Sequence, residues 1–108
     1  NIAINYGGRL EIAQAARSLA EDVKKGTLRP GDITEELLSR RIYTAGQPDP
    51  DLILRPSGEY RTSNFLLWQS AYAEYVFMEE ILWPDFTAAD LDRAIAEYSR
   101  RNRRFGGL

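Results

Sequence analysis

DLILRPSGEYRTSNFLLWQ, residues 51–69, is the stretch on which the fold turns. Leu52-Ile53-Leu54 is a continuous apolar run of the kind that suits a strand buried on both faces, as in a parallel sheet. Arg55 closes that strand, and Pro56-Ser57-Gly58 turns the chain sharply. Arg61 stands just before Thr62 and Ser63, which are good N-cap residues for the short buried helix predicted over NFLLWQSAYA, 64–73. In an open α/β sheet, ligands bind outside the carboxyl ends of the strands. The loop after Leu54 is therefore where a site is expected. Two guanidinium forks, one or two hydroxyls and a helix N-terminus are what a phosphate or diphosphate needs. Each charge-assisted hydrogen bond contributes about 1.5–3 kcal/mol, so two or three give roughly 4–8 kcal/mol, suited to a metabolite and weak for a permanent cofactor. A second reading of the same residues is structural: Arg55 and Arg61 paired with Glu59, Asp51 or Glu74.

Working outward, NIAINY at residues 1–6 reads as a strand, with Ile2, Ala3 and Ile4 apolar before Gly7-Gly8. Arg9 to Lys25 reads as a helix with Ile12, Ala16, Leu19 and Val23 on one stripe. Gly7-Gly8-Arg9 reads as a strand-to-helix turn with Arg9 structural. Asp32 or Thr34 caps a short helix through about Arg41, and TAGQPDP (44–50) is loop because of Pro48 and Pro50. EYVFMEEIL (74–82) is predicted as a third strand and WPDF (83–86) as a turn. Thr87 and Asp90 open a final helix over 88–104, with Leu91, Ile95 and Tyr98 inward. The order strand, helix, helix, strand, helix, strand, helix argues an α/β fold with a parallel sheet. Two or three parallel strands leave open edges and half-covered faces, so the chain is expected to be half of a larger domain.

Composition narrows the chemistry. A net charge of −2 exerts no global pull toward nucleic acid or an anionic membrane, so any anion site is local. The absence of Cys and His removes thiolate ligands, the commonest zinc ligand and the commonest general base. No apolar run is long enough to span a membrane, and the opening NIAINYGGR has no charged n-region, so no signal peptide is expected there. The aromatics Trp68, Tyr72, Tyr75, Phe77 and Trp83 are expected in the core and at a dimer interface rather than stacked on substrate.

DLILRPSGEYRTSNFLLWQSAYAEYVF (51–77), LWPDF (82–86) and RRFGG (103–107) resemble the C-terminal half of the cis-prenyltransferases, the undecaprenyl or decaprenyl diphosphate synthase (isoprenyl transferase) family. NIAINYGGR is similar to that family's mid-chain strand and following helix. The resemblance covers essentially the whole chain. It implies the C-terminal part of a single three-layer, parallel-sheet cis-prenyltransferase domain. The implied activity condenses isopentenyl diphosphate with an allylic diphosphate, with Mg2+, to a cis-polyprenyl diphosphate of the cell-wall lipid carrier kind. By position, the resemblance assigns Arg55, Arg61 and Ser63 to the diphosphate of isopentenyl diphosphate, with Thr62 supplying backbone contact. It assigns Glu74 to the metal, and Arg104 and Gly106 to a tail that reaches across a homodimer to the same diphosphate. Glu74 as a plain partner for an arginine stays open, and Arg100 and Arg101 read as a solvated helix end. A cytoplasmic protein is implied, with room for a peripheral membrane contact because the product is a long lipid.

The chain departs from the family pattern in lacking the HDGNGRW-type loop, whose Asp holds Mg2+, and the helices that line the product tunnel. Tyr60 stands where many members have His. The 108 residues are thus expected to supply the isopentenyl diphosphate site and dimer interface, with no catalytic residue of their own. The alternatives are a non-catalytic accessory subunit of a heteromeric cis-prenyltransferase and an unrelated phosphate-binding module. Retention of Arg55, Arg61, Ser63 and Glu74 argues against the accessory reading.

Overall fold

A run of good helix formers after Gly7 makes the first helix, α1 (Gly8–Lys24), in the computed structural model, which describes residues 1–102 and 105–106. Two units divide the chain: Asn1–Pro48 together with Asn64–Trp68, and Asp49–Ser63 together with the chain from Gln69 onward.

In the first unit, α1 buries Glu11, Ala15 and Leu19, one residue per turn along a single stripe. A buried carboxylate on that stripe needs hydrogen bonds to offset its lost hydration. Glu11 has them: its Oε1 accepts from the Tyr6 hydroxyl and its Oε2 from the Tyr43 amide at 2.7 Å. Helix α2 (Glu35–Ser39) starts at Thr34, whose Oγ1 accepts from the Leu37 amide at 3.1 Å. Arg41 then donates to Ser18 Oγ at 2.7 Å and Asp22 Oδ2 at 2.5 Å, fastening the segment after α2 to α1.

The Tyr6–Glu11 contact has a pH signature. Burial, with the adjacent Glu11 carboxylate as hydrogen-bond partner, pushes the Tyr6 phenol from 10.0 to about 12. The folded value lies above the unfolded one, so the protonated phenol stabilises the fold in full below about pH 10, and that contribution is lost as pH rises through about 12. Urea unfolding across this window is expected to show a decline that Tyr6→Phe removes; an identical decline in the variant would assign it to other groups.

The second unit is built on β1 (Leu52–Pro56) and β2 (Glu74–Met78), paired in parallel with Leu52 opposite Glu74 and Pro56 opposite Met78. Side chains alternate along a strand. Leu52 and Leu54 therefore share a face with Glu74, Val76 and Met78, whereas Ile53, Arg55, Tyr75 and Phe77 take the other. Helix α3 (Ala88–Ser99) packs on the first face, where Ala94, Val76 and Met78 form the buried core with Leu52, Leu54, Ile81 and Phe86 around it. Thr87 and Asp90 cap α3 reciprocally, and the bonds from the Thr87 amide and hydroxyl hold the Asp90 carboxyl below its usual range.

Several expectations are corrected. Residues 1–6 form no strand, and Ile2 and Ile4 are almost fully exposed. An extended apolar run becomes a strand only where a neighbour accepts its hydrogen bonds, and among the described residues β1 pairs with β2 alone. Residues 64–73 are turns, not a helix, because Asn64 and Leu66 hold φ of 64° and 49°, left-handed values that a right-handed helix excludes. Thr62 and Ser63 consequently cap no helix. Strand β2 stops at Met78 and α3 at Ser99, short of the expected 82 and 104. In α3, Ala94 points into the core, while Leu91 and Ile95 are exposed; Ala16 of α1 is exposed as well. Of the aromatics expected in the core or at an interface between copies, Tyr72, Phe77 and Trp83 are exposed within the single chain, and Trp68 and Tyr75 are half-buried.

Candidate functional site

The site begins where β1 ends. Arg55 is the penultimate strand residue and lies opposite Phe77. Beyond it, Ser57 and Gly58 both take left-handed backbone, with φ of 70° and 68°. Ser is strained there where Gly is not. The strained turn is held by the Ser57 amide, which donates to the Ile81 carbonyl at 2.7 Å. The chain then doubles back, so that Ser63 Oγ lies 3.5 Å from Arg55 Nη2, a long hydrogen bond.

Among the described residues Arg55 makes no ion pair, so its structural reading as a partner of Glu59, Asp51 or Glu74 finds no support. Arg61 does pair, with Glu59 at 2.6 Å, but its side chain is 72 % exposed. An exposed pair of this kind contributes little and is easily exchanged for a better anion. Thr62, next in the chain, is half-buried. Arg61, Thr62 and Ser63 thus lie on the loop that follows β1, and Ser63 comes back to contact Arg55 at the strand's end.

Glu74 is placed elsewhere. It opens β2 opposite Leu52, three residues before the level of Arg55, which is about 10 Å along a strand. It is also on the opposite face of the sheet. Its Oε2 accepts from Arg101 Nη1 at 3.2 Å, so Arg101 is not the solvated helix end expected of it. Gly106 has left-handed φ of 73° with open space around it, next to Phe105, whose ring lies 5.8 Å from that of Tyr72. Arg104 lies outside the described residues. Within one chain, therefore, the arginine loop and the Glu74 end of β2 are separate groups.

One residue of consequence was missed. Gly7, which precedes α1, has no side chain with which to cap it. Asn64 does so instead: its carbonyl accepts from the Gly8 amide at 2.6 Å and its Oδ1 from the Arg9 amide at 2.8 Å. A Cβ on Gly8 would sit 3.0–3.2 Å from Leu67 and the Asn64 carbonyl, which accounts for glycine there. The Gly8 and Arg9 amides, which a phosphate would need here, are occupied by Asn64; the stretch leads into α1, though from no strand. A helix without its own cap, and an Asn heading an apolar run, were the available signals.

Comparison with known proteins places the chain. The family model described as "Putative undecaprenyl diphosphate synthase" matches residues 1–106. Isoprenyl transferase 1 of Streptomyces coelicolor is 60 % identical over 104 residues, which are 96 % of this chain and 37 % of that protein. The isoprenyl transferase of Clostridium perfringens is 54 % identical over 108 residues, 100 % of this chain and 42 % of that protein. The chain thus spans about two fifths of the length of these curated relatives. Among solved structures, lavandulyl diphosphate synthase from Lavandula x intermedia, in complex with dimethylallyl diphosphate, superposes with a TM-score of 0.92 at 46 % identity, over 97 % of this chain and 45 % of that one. A "probable undecaprenyl diphosphate synthase" from Campylobacter jejuni gives 0.75 at 38 % identity, over 99 % and 47 %.

Proposed function

Because this chain belongs to the undecaprenyl diphosphate synthase family, we propose that it is the C-terminal part of an isoprenyl transferase and that its loop 55–63 holds the diphosphate of isopentenyl diphosphate. The observation that carries this reading is the Arg55–Ser63 contact, made by an arginine with no carboxylate partner among the described residues, with an exposed Arg61 on the loop that follows. In this reading the Arg55 and Arg61 forks and the Ser63 hydroxyl are the donors to the phosphate oxygens. Thr62 adds its backbone amide. This group binds and orients; it neither removes nor donates a proton. Its contribution to rate is to hold the C4 double bond of isopentenyl diphosphate in line with the allylic carbon, which is catalysis by positioning. The allylic diphosphate and its leaving step belong to residues beyond this chain.

Glu74 fits Mg2+ as one ligand of several. Among the described residues no group of three acidic side chains is placed to hold a metal ion, and Glu74 pairs with Arg101; Mg2+ commonly takes one or two carboxylates and fills its shell with water and phosphate oxygens. A cation there would supply charge neutralisation to a departing diphosphate. That Glu74 and Arg55 occupy different ends and faces of one sheet supports a site completed by a second copy, with Arg104 and Gly106 of the tail reaching toward it. Among the described residues no helix is long and apolar enough to cross a membrane. A cytoplasmic homodimer with a peripheral membrane contact is part of the same proposal.

Calorimetric titration of the chain with isopentenyl diphosphate and with inorganic phosphate tests it. The expected result is clear preference for isopentenyl diphosphate. Equal affinity for the two would favour a general phosphate-binding module instead.

A further inference from the structure

The arginine loop is tied to the sheet through an aromatic ring. Tyr60 immediately precedes Arg61, and its ring centroid lies 5.0 Å from that of Phe77, with the planes tilted by 40°. Phe77 is in turn stacked on Tyr75, at 5.8 Å and 17°, and the Tyr75 hydroxyl donates to Ser70 Oγ at 3.2 Å. Ser70 is buried, so the row of rings is footed in fixed structure. Phe77 and Arg55 are register partners and share one face of the sheet. Ser63 meets Arg55 on β1, and Tyr60 meets Phe77 on β2. Arg61 therefore stands between two tethers that end at opposite positions of paired strands. The Ser63 tether is weak, a long hydrogen bond of 3.5 Å between exposed groups. The Arg61–Glu59 pair ties the loop only to itself, since both residues belong to it. The backbone is left-handed at Ser57, Gly58 and Ser63, and a serine keeps such a conformation only where neighbouring contacts impose it. Tyr60 on Phe77 joins the middle of the loop to β2.

We propose that Tyr60 is a positioning residue for Arg61: its ring, seated on Phe77, holds the loop in the form in which Arg61 and Arg55 grip one diphosphate. This rests on the reading of loop 55–63 as the diphosphate site. The physical ground is preorganisation. A loop that must be ordered on binding lowers affinity in proportion to the time it spends outside the competent form. A tilted ring pair at this separation contributes beyond the area it buries. Tyrosine has few side-chain torsions to fix, so the tether itself loses little freedom when it forms. The role belongs to the ring and not to the hydroxyl. Tyr60 acts through Arg61 and does not itself bind the diphosphate.

Calorimetric titration with isopentenyl diphosphate, joined to 1H–15N NMR of the same chains, tests this. Tyr60→Ala should weaken binding about 2- to 12-fold, the equilibrium equivalent of one aromatic pair. Tyr60→Phe keeps the ring and should restore the parent affinity. In an Arg61→Ala background Tyr60→Ala should have no further effect, because its action passes through Arg61. Without ligand, the heteronuclear NOE of the amides of residues 59–62 should fall in Tyr60→Ala and hold in Tyr60→Phe. Tyr60 is 54 % exposed, so its truncation should leave the core intact, and unchanged Val76, Met78 and Ala94 amide shifts establish that each variant is folded. The proposal is overturned if Tyr60→Ala binds as the parent does, if Tyr60→Phe loses as much as Tyr60→Ala, or if the amides of 59–62 stay as rigid without the ring. It is also overturned by an equal loss in the Arg61→Ala background, which would mean that Tyr60 meets the ligand directly. Failure of the diphosphate reading would show separately, as a parent chain that binds isopentenyl diphosphate no better than inorganic phosphate, and the positioning role would fall with it.

Discussion

Arg61→Ala is expected to weaken binding of isopentenyl diphosphate by about 10- to 150-fold, the equivalent of about 1.5–3 kcal/mol for a charge-assisted hydrogen bond. Little of this should be offset by freeing Glu59, because the Arg61–Glu59 pair lies at the surface and contributes little in the absence of ligand. Arg61→Lys keeps the charge and loses the fork, so it should recover part of the affinity and not all. Arg55→Ala should cost a similar factor and in addition leave Ser63 Oγ without the guanidinium that it faces. The two arginines share one ligand, so the double variant should fall short of the product of the single effects. Calorimetric titration at fixed salt measures each. An Arg61→Ala chain that binds as the parent does would show that the arginine is a surface ion pair only. Inorganic phosphate, which offers fewer oxygens to span both forks, should lose less.

Asn64→Ala is expected to destabilise the chain by about 1.5–4 kcal/mol. Loss of the Oδ1 acceptor removes a helix cap from the Arg9 amide, at about 0.5–2 kcal/mol. Holding alanine at a φ of 64° adds about 1–2 kcal/mol. The two parts can be separated. Asn64→Gly keeps the left-handed backbone and loses only the cap, so it should retain more stability than Asn64→Ala. Asn64→Asp keeps an acceptor for Arg9 and should be the mildest. Urea unfolding of the three variants gives the order; a change below about 0.5 kcal/mol in Asn64→Ala would mean that the α1 amides find water instead.

The strands β1 and β2, the three helices and the place of the arginine loop were legible because each rests on local pattern. Leu52-Ile53-Leu54 and Tyr75-Val76-Phe77 are short apolar runs with turn residues between them, and Thr34 and Thr87 cap the helices that follow them. What was not legible depends on residues far apart in sequence. NFLLWQSAYA has the composition of a helix, but Asn64 is recruited to the N-terminus of α1, 55 residues away, and takes a left-handed backbone to reach it. NIAINY has the composition of a strand, yet propensity alone does not supply a ladder partner. On α1, Leu19 is buried as expected, but Glu11 and Ala15 are buried in place of Ile12 and Ala16; bonds from the Tyr6 hydroxyl and the Tyr43 amide help make the buried charge tolerable. The site divided in the same way. Arg55 and Ser63 are brought together by a turn whose residues announce it. The partner of Glu74 was unreadable because Arg101 arrives from the end of α3, and its neighbours Arg100 and Arg103 look no different in sequence.

Side-chain 1H–15N NMR of the arginines, followed as isopentenyl diphosphate is added, tests the central claim most directly. The Nε signals of Arg55 and Arg61 should move together and saturate together, with the Ser63 amide, while those of Arg9 and Arg93 stay in place. Movement concentrated at Gly8 and Arg9, or at the arginines of α3, with Arg55 and Arg61 unchanged, would contradict the assignment of loop 55–63 as the diphosphate site.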